Sequence, residues 1–290
     1  MRCPSLSELP PAAERSGWPW TEESPRLAGA MPDGRPWPRV SVVTPTLNQR
    51  PFLEETMRSV LLQGYPDLEY LVIDGGSTDG SVEVILRYAD RLAYWVSQPD
   101  GGQSHALNAG LRKASGEILG WLNGDDTYEP GAVCEAARVF AADPAVVMAY
   151  GDCANVNGAG AVFSVSRSRP FDYDRLLRRW PNFIAQPTVF LRREALAAVG
   201  GLDETLEFAM DYDLWLRVGR LGRAVYIPRI QGRFRVHPDS KTTRHPERFW
   251  PEVRRVSRRH GGGFLSPMLV RHLRDEFYLW RQRVRHRWVG

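Results

Sequence analysis

Apolar runs and helical patterns alternate through the first half of the chain. Four apolar runs predict buried strands, at residues 40–44, 68–73, 93–96 and 117–122. Segments with apolar residues on one face predict helices, at residues 51–61, 81–91 and 103–114. Strands that alternate with helices of about ten residues indicate βαβ units and a mostly parallel sheet. Such a sheet binds ligands at the carboxyl ends of its strands.

The second half of the chain follows a less regular pattern. It predicts helices after Pro130 and at residues 211–221, and strands at residues 146–150, 161–165, 224–227 and 232–236. Residues 183–191 mix polar and apolar side chains around Pro187 and indicate no single element. We therefore expect one α/β domain over residues 39–241, preceded by a leader (1–38) and followed by a basic helical extension (242–290).

The leader holds eight prolines, which exclude a helix or an inner strand because proline has no amide donor and restricts the residue before it. Two alternatives stay open. The leader is disordered, or the part from Gly17 onward lies on the body as extended chain. Three tryptophans, Trp18, Trp20 and Trp37, are unusual in a solvated tail and give the second alternative the same weight as the first.

Composition narrows the class of protein. The chain has 290 residues, of which 43% are apolar and 25% charged, and this excludes a wholly disordered chain or a collagen. Its apolar runs are far shorter than the ~18–20 residues of a membrane-spanning helix. The acidic residues among the first 38 argue against a secretory signal. The three cysteines are an odd number without metal-like spacing, so we expect reduced thiols and a cytoplasmic protein.

The net charge of +4 is unevenly distributed. From Lys241 to Gly290 the chain carries 13 Lys plus Arg and 4 Asp plus Glu, a net of +9, which leaves −5 for the rest. An apolar stripe of helical spacing runs through this basic tail, at Leu273, Phe277, Trp280, Val284 and Trp288. The stripe suits either the surface of an anionic membrane, at the inner face for a cytoplasmic protein, or docking on the body or a second subunit. Nucleic acid is disfavoured, because the body is acidic and carries no reading motif.

Acidic residues follow two of the predicted strands. Asp74 ends the second strand and precedes two glycines that let a ligand approach the backbone. The alternative is a turn, which Asp, Gly and Ser commonly form. Asp125 and Asp126 follow the fourth strand, and adjacent carboxylates repel one another unless a cation lies beside them. A divalent metal that carries a diphosphate fits this pair, and the alternative is a solvated loop that caps the next helix.

Two further groups of residues lie in the second half. Asp211 begins a predicted helix, where the alternative role is a cap, and Asp213 should point in another direction. Arg233, Arg235 and His237 share one face of a predicted strand. That face suits a phosphate or a metal–phosphate complex, and the alternative is an exposed basic edge strand.

Taken in order, these groups resemble the family 2 glycosyltransferases, which bind nucleotide-diphosphate sugars in the GT-A fold. The motifs that carry the resemblance are residues 44–48 (Thr-Pro-Thr-Leu-Asn), 74–79 (Asp-Gly-Gly-Ser-Thr-Asp), 99–108, 116–126, 186–188, 201–203 and 210–217. The match covers about residues 39–241. It implies a Rossmann-like, mostly parallel sheet flanked by helices and an enzyme of the hexosyltransferase type that serves polysaccharide or cell-envelope synthesis.

The resemblance also implies a role for each matching residue. Donor binding falls to Thr44, Pro45, Thr46, Asn48, Asp74, Gly102, Asn108 and Asp125, with the first five around the base and Asp125 at the ribose. Asp126 is the expected metal ligand with His237 close to the metal and diphosphate, the metal being Mg²⁺ or Mn²⁺. Asp211 matches the general base. The expected partners are a nucleotide-diphosphate sugar and a glycan, lipid-linked or other acceptor.

The sequence departs from the family pattern at Gly75, Asn123, Leu107 and Met210. These departures bear on base and sugar preference more than on reaction class. Inverting transfer needs a cation for the departing diphosphate and one carboxylate to accept the proton of the acceptor hydroxyl. Two other functions stay open: a sugar-1-phosphate nucleotidyltransferase, which would carry a glycine-rich loop with Arg and Lys after its first strand, and a non-catalytic nucleotide- or sugar-binding protein.

Overall fold

The computed structural model describes residues 2–12, 15–178 and 182–263. The nine strands in this part of the chain are β1 (Val40–Thr46), β2 (Leu68–Asp74), β3 (Tyr94–Ser97), β4 (Ile118–Trp121), β5 (Thr127–Tyr128), β6 (Val146–Asn157), β7 (Val162–Ser166), β8 (Phe190–Arg192) and β9 (Arg223–Val236). They form one sheet in the order β3-β2-β1-β4-β8-β6-β9-β5, and β7 pairs with β6. Pairings of β1 with β2 and β4, of β2 with β3, and of β6 with β9 are parallel.

Helices cover the sheet. The described part of the chain contains α1 (Arg50–Leu61), α2 (Ser81–Tyr88), α3 (Gln103–Lys113), α4 (Ala132–Ala142), α5 (Tyr173–Arg178), α6 (Arg193–Ala198), α7 (Met210–Val218), α8 (Lys241–Arg244) and α9 (Pro246–Arg259). Short 3₁₀ turns lie at Leu6–Glu8, Ala89–Arg91 and Gln186–Thr188. The βαβ pattern predicted for the first half is confirmed, and the predicted helix at 81–91 changes to a 3₁₀ turn in its last three residues.

Alternate residues of the central strands pack into two apolar clusters. Val43 belongs to the cluster that includes Leu107 and Trp215, whereas Val42 belongs to the one that includes Leu53 and Met57. Strand β1 is therefore buried on both faces, as a parallel strand between two helical layers must be. Helix α3 approaches β1 closely at Gly110, where an added Cβ would lie 2.5 Å from Val43 Cγ1.

Two strands predicted at 224–227 and 232–236 are one continuous strand, β9. Pro228 lies where the register with β6 shifts, between the pairs Gly151–Ile227 and Asp152–Ile230. A proline is tolerated at such an irregularity, because no ladder hydrogen bond is required from its nitrogen. The strand therefore continues past Pro228, beyond the predicted end at residue 227.

The described parts of the leader pack against the body. Arg58 of α1 is 1% exposed and donates hydrogen bonds to the carbonyls of Pro10, Pro19 and Trp20. Trp20 and Trp37 are buried, and so is Cys3. This buried guanidinium satisfies carbonyls of a segment that forms little secondary structure of its own.

The basic tail is described only to residue 263, so the predicted stripe from Leu273 to Trp288 lies outside the described residues. Its described portion forms α8 and α9. Within residues 2–12, 15–178 and 182–263, no helix combines the length and the hydropathy that a bilayer crossing requires.

Candidate active site

Asp74 organises the loop that follows β2. Its carboxylate is fully buried and accepts hydrogen bonds from the amides of Gly76 (3.1 Å) and Ser77 (2.9 Å), from Ser97 Oγ (2.6 Å) and from Ser77 Oγ. The contacts of Asp74 are thus those of a turn, which is the alternative that the sequence left open. Its binding to a nucleotide base stays a prediction.

The loop after β1 is joined to the loop after β2. Asn48 adopts a left-handed backbone with φ 53°, and its Oδ1 accepts a hydrogen bond from Thr78 N at 2.9 Å. Asn48 N donates to Ser77 Oγ at 2.7 Å. Thr44 Oγ1 lies 3.0 Å from Tyr70 Oη, a buried contact below the loop. Thr44 and Asn48, both expected to surround the base, are therefore held by residues of β2 and of the loop that follows it, and Pro45 lies inside β1.

The loop after β4 meets the same edge of the sheet. An added Cβ at Gly124 would lie 2.7 Å from Thr46 Oγ1, so only glycine allows the two loops to come this close. Thr46 Oγ1 is buried and has no hydrogen-bond partner within the described ranges. The edge thus gathers the ends of β1, β2 and β4, as the sequence predicted for a parallel sheet.

Asp125 and Asp126 have different surroundings. Asp125 Oδ2 lies 3.1 Å from His237 Nε2, and its side chain is 16% exposed. Asp126 is 1% exposed and accepts hydrogen bonds from Arg235 N (2.9 Å) and Asn123 Nδ2 (3.2 Å). Burial, followed by the charge of Asp125, raises the pKa of Asp126 well above its usual range. The two carboxylates thus have different partners, the imidazole of His237 for Asp125 and the backbone of β9 for Asp126.

Arg233 and Arg235 do not present a phosphate-binding face. Arg233 Nε donates to Glu129 at 2.6 Å. Arg235 is 2% exposed, pairs with Glu55 at 3.0 Å and donates from Nε to the carbonyl of Asp125. The two guanidiniums were expected to meet a phosphate. This expectation is wrong, because each guanidinium already pairs with a carboxylate. The edge-strand alternative is also wrong, since β9 pairs with both β6 and β5.

A network of amide side chains that the sequence did not reveal joins the loop after β4 to the second half. Asn123 Oδ1 accepts from Gln103 Nε2 (2.7 Å), and Asn123 Nδ2 donates to Gln186 Oε1 (2.9 Å). Gln186 Nε2 in turn donates to the carbonyl of Trp121. Gln103 Oε1 accepts from Lys241 Nζ at 2.5 Å. The only sequence signals for this network were the positions of Asn123, Gln103 and Gln186 within family motifs.

Two residues expected on the donor side differ in accessibility. Gly102 caps α3 with φ 101°, and its amide donates to Asp100 Oδ1 at 2.7 Å, with open space where a Cβ would stand. Asn108 is 7% exposed, and its side-chain amide forms hydrogen bonds with the backbone of Leu202 and with the carboxylate of Glu204. In this structure Asn108 joins α3 to the loop before α7, and its contact with a donor stays a prediction.

Asp211 borders a cavity of about 340 Å³. It lies in the first turn of α7, and its Oδ1 accepts a hydrogen bond from the amide of Tyr212. Burial raises the pKa of Asp211 to about 6, and the charge of Lys241 opposes that shift. The cavity is lined mainly by aromatic, amide and apolar side chains, among them Trp121, Asn155, Asn182, Ile184, Phe208, Phe234, Phe249 and Val253. Asp211 is therefore a carboxylate whose pKa suits proton transfer near neutral pH.

Asp213 points away from that cavity, as expected. Its carboxylate is 2% exposed and pairs with Arg217 (2.7 Å) and His260 (3.0 Å). Burial acts to raise the pKa of Asp213, but the hydrogen bond from His260 and the charge of Arg217 outweigh it and lower the pKa. Asp213 thus fixes α7 against the end of α9.

The residues present fit a metal that is held partly by its substrate. Among the described residues, no three His, Cys, Asp or Glu side chains converge on one point. Asp125 and His237 do lie together, and the orphaned Thr46 Oγ1 is at the same edge of the sheet. Mg²⁺ commonly takes only one or two protein carboxylates, with phosphate oxygens and water completing its shell. Binding by Asp126 stays a prediction, although its oxygens accept hydrogen bonds from the protein.

The chain is similar to sugar transferases. The family model described as Glycosyl transferase family 2 matches residues 41–200, more than half of the chain. The O-antigen biosynthesis protein RfbC of Myxococcus xanthus is 34% identical over 189 residues, 62% of this chain but 14% of that protein. Asp211 and α9 lie beyond the residues that the family model matches.

Two solved structures share the fold. S. aureus TarS, solved in complex with UDP-GlcNAc, superimposes with a TM-score of 0.62 at 20% identity, over 77% of this chain and 66% of that one. The mannosyltransferase PcManGT from Pyrobaculum calidifontis, solved with GDP-Man and Mn²⁺, gives a TM-score of 0.57 at 25% identity, over 83% of this chain and 70% of that one.

Proposed function

The chain belongs to glycosyl transferase family 2, and from that premise we propose that it is a metal-assisted inverting glycosyltransferase. The family membership and the GT-A fold expected from the sequence are confirmed. The donor is a nucleotide-diphosphate sugar bound at the carboxyl edge of β1, β2 and β4. The complexes of the two structural neighbours support this class of donor, and that of PcManGT supports Mn²⁺.

The observation that carries the proposal is a half-buried carboxylate of raised pKa, Asp211, in the wall of a cavity beside the donor edge. Asp211 borders the cavity, and the charge of Lys241 interacts with both Asp211 and Asp125. The acids are thus gathered in one region, whereas a non-catalytic binding protein would not require a base there.

The reaction follows from these positions. Asp211 accepts the proton of the acceptor hydroxyl, whose oxygen forms a bond to the anomeric carbon while the bond from that carbon to the diphosphate breaks. The diphosphate leaves with the electron pair, and a single displacement inverts the anomeric centre. Asp125 and His237 would hold the divalent metal, which supplies positive charge to the departing diphosphate. No second carboxylate is needed as a nucleophile.

The cavity supports an acceptor that ends in a sugar. Aromatic side chains such as Trp121 and Phe249 offer flat apolar faces to sugar C–H groups, and Asn155, Asn182 and Gln186 offer amides to hydroxyls. A free glycan and a lipid-linked glycan present the same terminal sugar to this cavity. Synthesis of a cell-envelope polysaccharide by a cytoplasmic enzyme remains the setting that we propose. Contact of the tail with an anionic membrane is a prediction that concerns residues outside the described ranges.

A donor screen tests the proposed function. Nucleotide sugars are incubated with the full chain and Mn²⁺, and free nucleoside diphosphate is measured with and without a chelator. We expect one donor to give metal-dependent release that increases with a glycan acceptor. Failure of every nucleotide sugar to release nucleoside diphosphate would contradict the proposal. Release of pyrophosphate from sugar 1-phosphate and nucleoside triphosphate would instead establish the nucleotidyltransferase alternative.

A further inference from the structure

Glu252 of α9 binds the backbone that leads into α7. Its Oε2 accepts hydrogen bonds from the amides of Glu207 (3.0 Å), Phe208 (2.7 Å) and Ala209 (3.1 Å), and its Oε1 accepts one from Glu207 at 3.1 Å. Ala209 is the N-cap of α7 and offers no side chain that can cap the helix. A carboxylate from another helix therefore takes the place of a cap, at the helix end where negative charge is favoured.

The residues of α9 that surround Glu252 face the same cavity and core. Phe249 and Val253 line the cavity that Asp211 borders, and Val253 and Val256 are fully buried. Positions 249, 252, 253 and 256 are spaced as one face of a helix. This face of α9 is thus both a wall of the acceptor cavity and the anchor of the loop before Asp211.

Two ion pairs and one hydrogen bond join the same loop to α9 on its exposed side. Arg248 pairs with Glu207 at 2.9 Å, Arg259 pairs with Asp203 at 2.6 Å, and Arg255 Nη2 donates to the carbonyl of Thr205 at 3.3 Å. Exposed ion pairs of this kind each contribute little to the stability of a protein. Glu252 differs, because its side chain is only 13% exposed and accepts from three successive amides.

We propose that Glu252 is a positioning residue for sugar transfer, which holds residues 207–209 so that Asp211 faces the acceptor cavity. The inference rests on the proposed function of Asp211 as the base. It makes α9, which lies beyond the residues matched by the family model, a structural part of the acceptor half of the site. Glu252 touches no reacting atom and acts only through the backbone that carries the base.

Two substitutions and one control separate this role from general stability. Glu252→Met keeps the length and packing of the side chain but removes both acceptor oxygens, and Glu252→Gln keeps one. Glu247→Ala is the control, since Glu247 lies on the same helix with a side chain that is 54% exposed. Amide hydrogen exchange at residues 207–212 of the full chain is measured first, because it does not depend on activity.

We expect Glu252→Met to accelerate exchange at residues 207–209 by about tenfold or more and to lower kcat for transfer by about tenfold to a hundredfold. The affinity for UDP or GDP with Mn²⁺ should not change, Glu252→Gln should recover most of both effects, and Glu247→Ala should match the wild type. Wild-type exchange in Glu252→Met would overturn the proposal. So would faster exchange with unchanged kcat and acceptor KM, or an equal loss of nucleotide affinity. A wild-type protein without transfer would refute the function of Asp211, whereas the exchange result would still decide whether Glu252 holds this loop.

Discussion

Asp74 lies at the end of a buried parallel strand, whereas Asp211 lies in the first turn of a helix that borders a cavity. The carboxylate of Asp74 accepts hydrogen bonds from Gly76, Ser77 and Ser97, all within its own strand–loop unit or the neighbouring strand. Asp211 accepts one from the next amide, and burial raises its pKa to about 6. The donor half of the site that we propose, the loops after β1, β2 and β4, is therefore built largely by local hydrogen bonds. The acceptor half contains one carboxylate that can accept a proton, Asp211. The backbone before it is held by Glu252, a residue distant in the sequence.

The largest expected effect is on turnover by Asp211→Asn. Asparagine keeps the shape of the side chain but cannot accept the proton, so kcat should fall about 10²–10⁴-fold. The folded pKa of Asp211 lies above its value of 3.8 in the unfolded chain, so its ionised form at pH 7 costs stability. Removing the charge should raise stability by about 2 kcal/mol or less, because solvent still reaches the side chain. Rates and melting temperatures of the variant check both results.

Asp213→Asn is the matched control, because it removes a carboxylate two residues away on the same helix. It should leave kcat within a few-fold of the wild type but lower the melting temperature, since Arg217 and His260 lose their shared partner. Breaking a buried ion pair on one side commonly costs about 3–5 kcal/mol. A larger loss of kcat from Asp213→Asn than from Asp211→Asn would reverse the assignment of the base.

On the donor half, Asp125→Ala should weaken metal-dependent nucleotide binding. Asp125 is the carboxylate in contact with His237 at the edge of the sheet. Loss of even an outer partner of a metal ligand commonly lowers metal affinity 10–100-fold, so we expect at least about that loss in affinity for UDP or GDP with Mn²⁺. Calorimetry with and without Mn²⁺ measures it. Equal affinities of this variant and the wild type would contradict metal binding by Asp125 and favour Asp126 as the ligand.

The pH dependence of turnover should report Asp211. The base must be ionised, and with a pKa of about 6 only about a tenth of the molecules carry it ionised at pH 5. Turnover at saturating donor should therefore be roughly tenfold lower at pH 5 than at pH 8. A rate that is flat between these pH values would show that no group of this pKa limits the reaction. The stability contribution of Asp211 has the opposite sign, being present below about pH 4 and lost as the pH rises through 6.

Asp74→Asn should have the smallest effect on turnover and should act mainly on stability. An amide can replace only part of the carboxylate's acceptor capacity for Gly76, Ser77 and Ser97, and unsatisfied buried donors cost about 1–3 kcal/mol. We expect a melting temperature lower by several degrees and a smaller change in kcat than for Asp211→Asn. If nucleotide affinity collapses while the melting temperature holds, Asp74 binds the base directly.

The sequence predicted the donor half more fully than the acceptor half, for a physical reason. Strands β1, β2 and β4 are buried on both faces, so their apolar runs and the polar residues that follow them are visible in the sequence. The acceptor half depends on contacts between distant residues, such as Glu252 with residues 207–209 and Lys241 with Gln103. Such contacts leave no periodic pattern. The fusion of two predicted strands into β9 across Pro228 has the same origin, since pairing with β6 decides it.

The separation of the two halves can be tested directly by calorimetric binding of UDP or GDP, with Mn²⁺ present, to the Asp211→Asn variant. The nucleotide site that we propose is formed by residues that precede α7 and by His237, so the dissociation constant should stay within about twofold of the wild type although turnover is lost. A dissociation constant that rises in parallel with the loss of turnover would contradict the account, because Asp211 would then hold the donor rather than accept the proton of the acceptor.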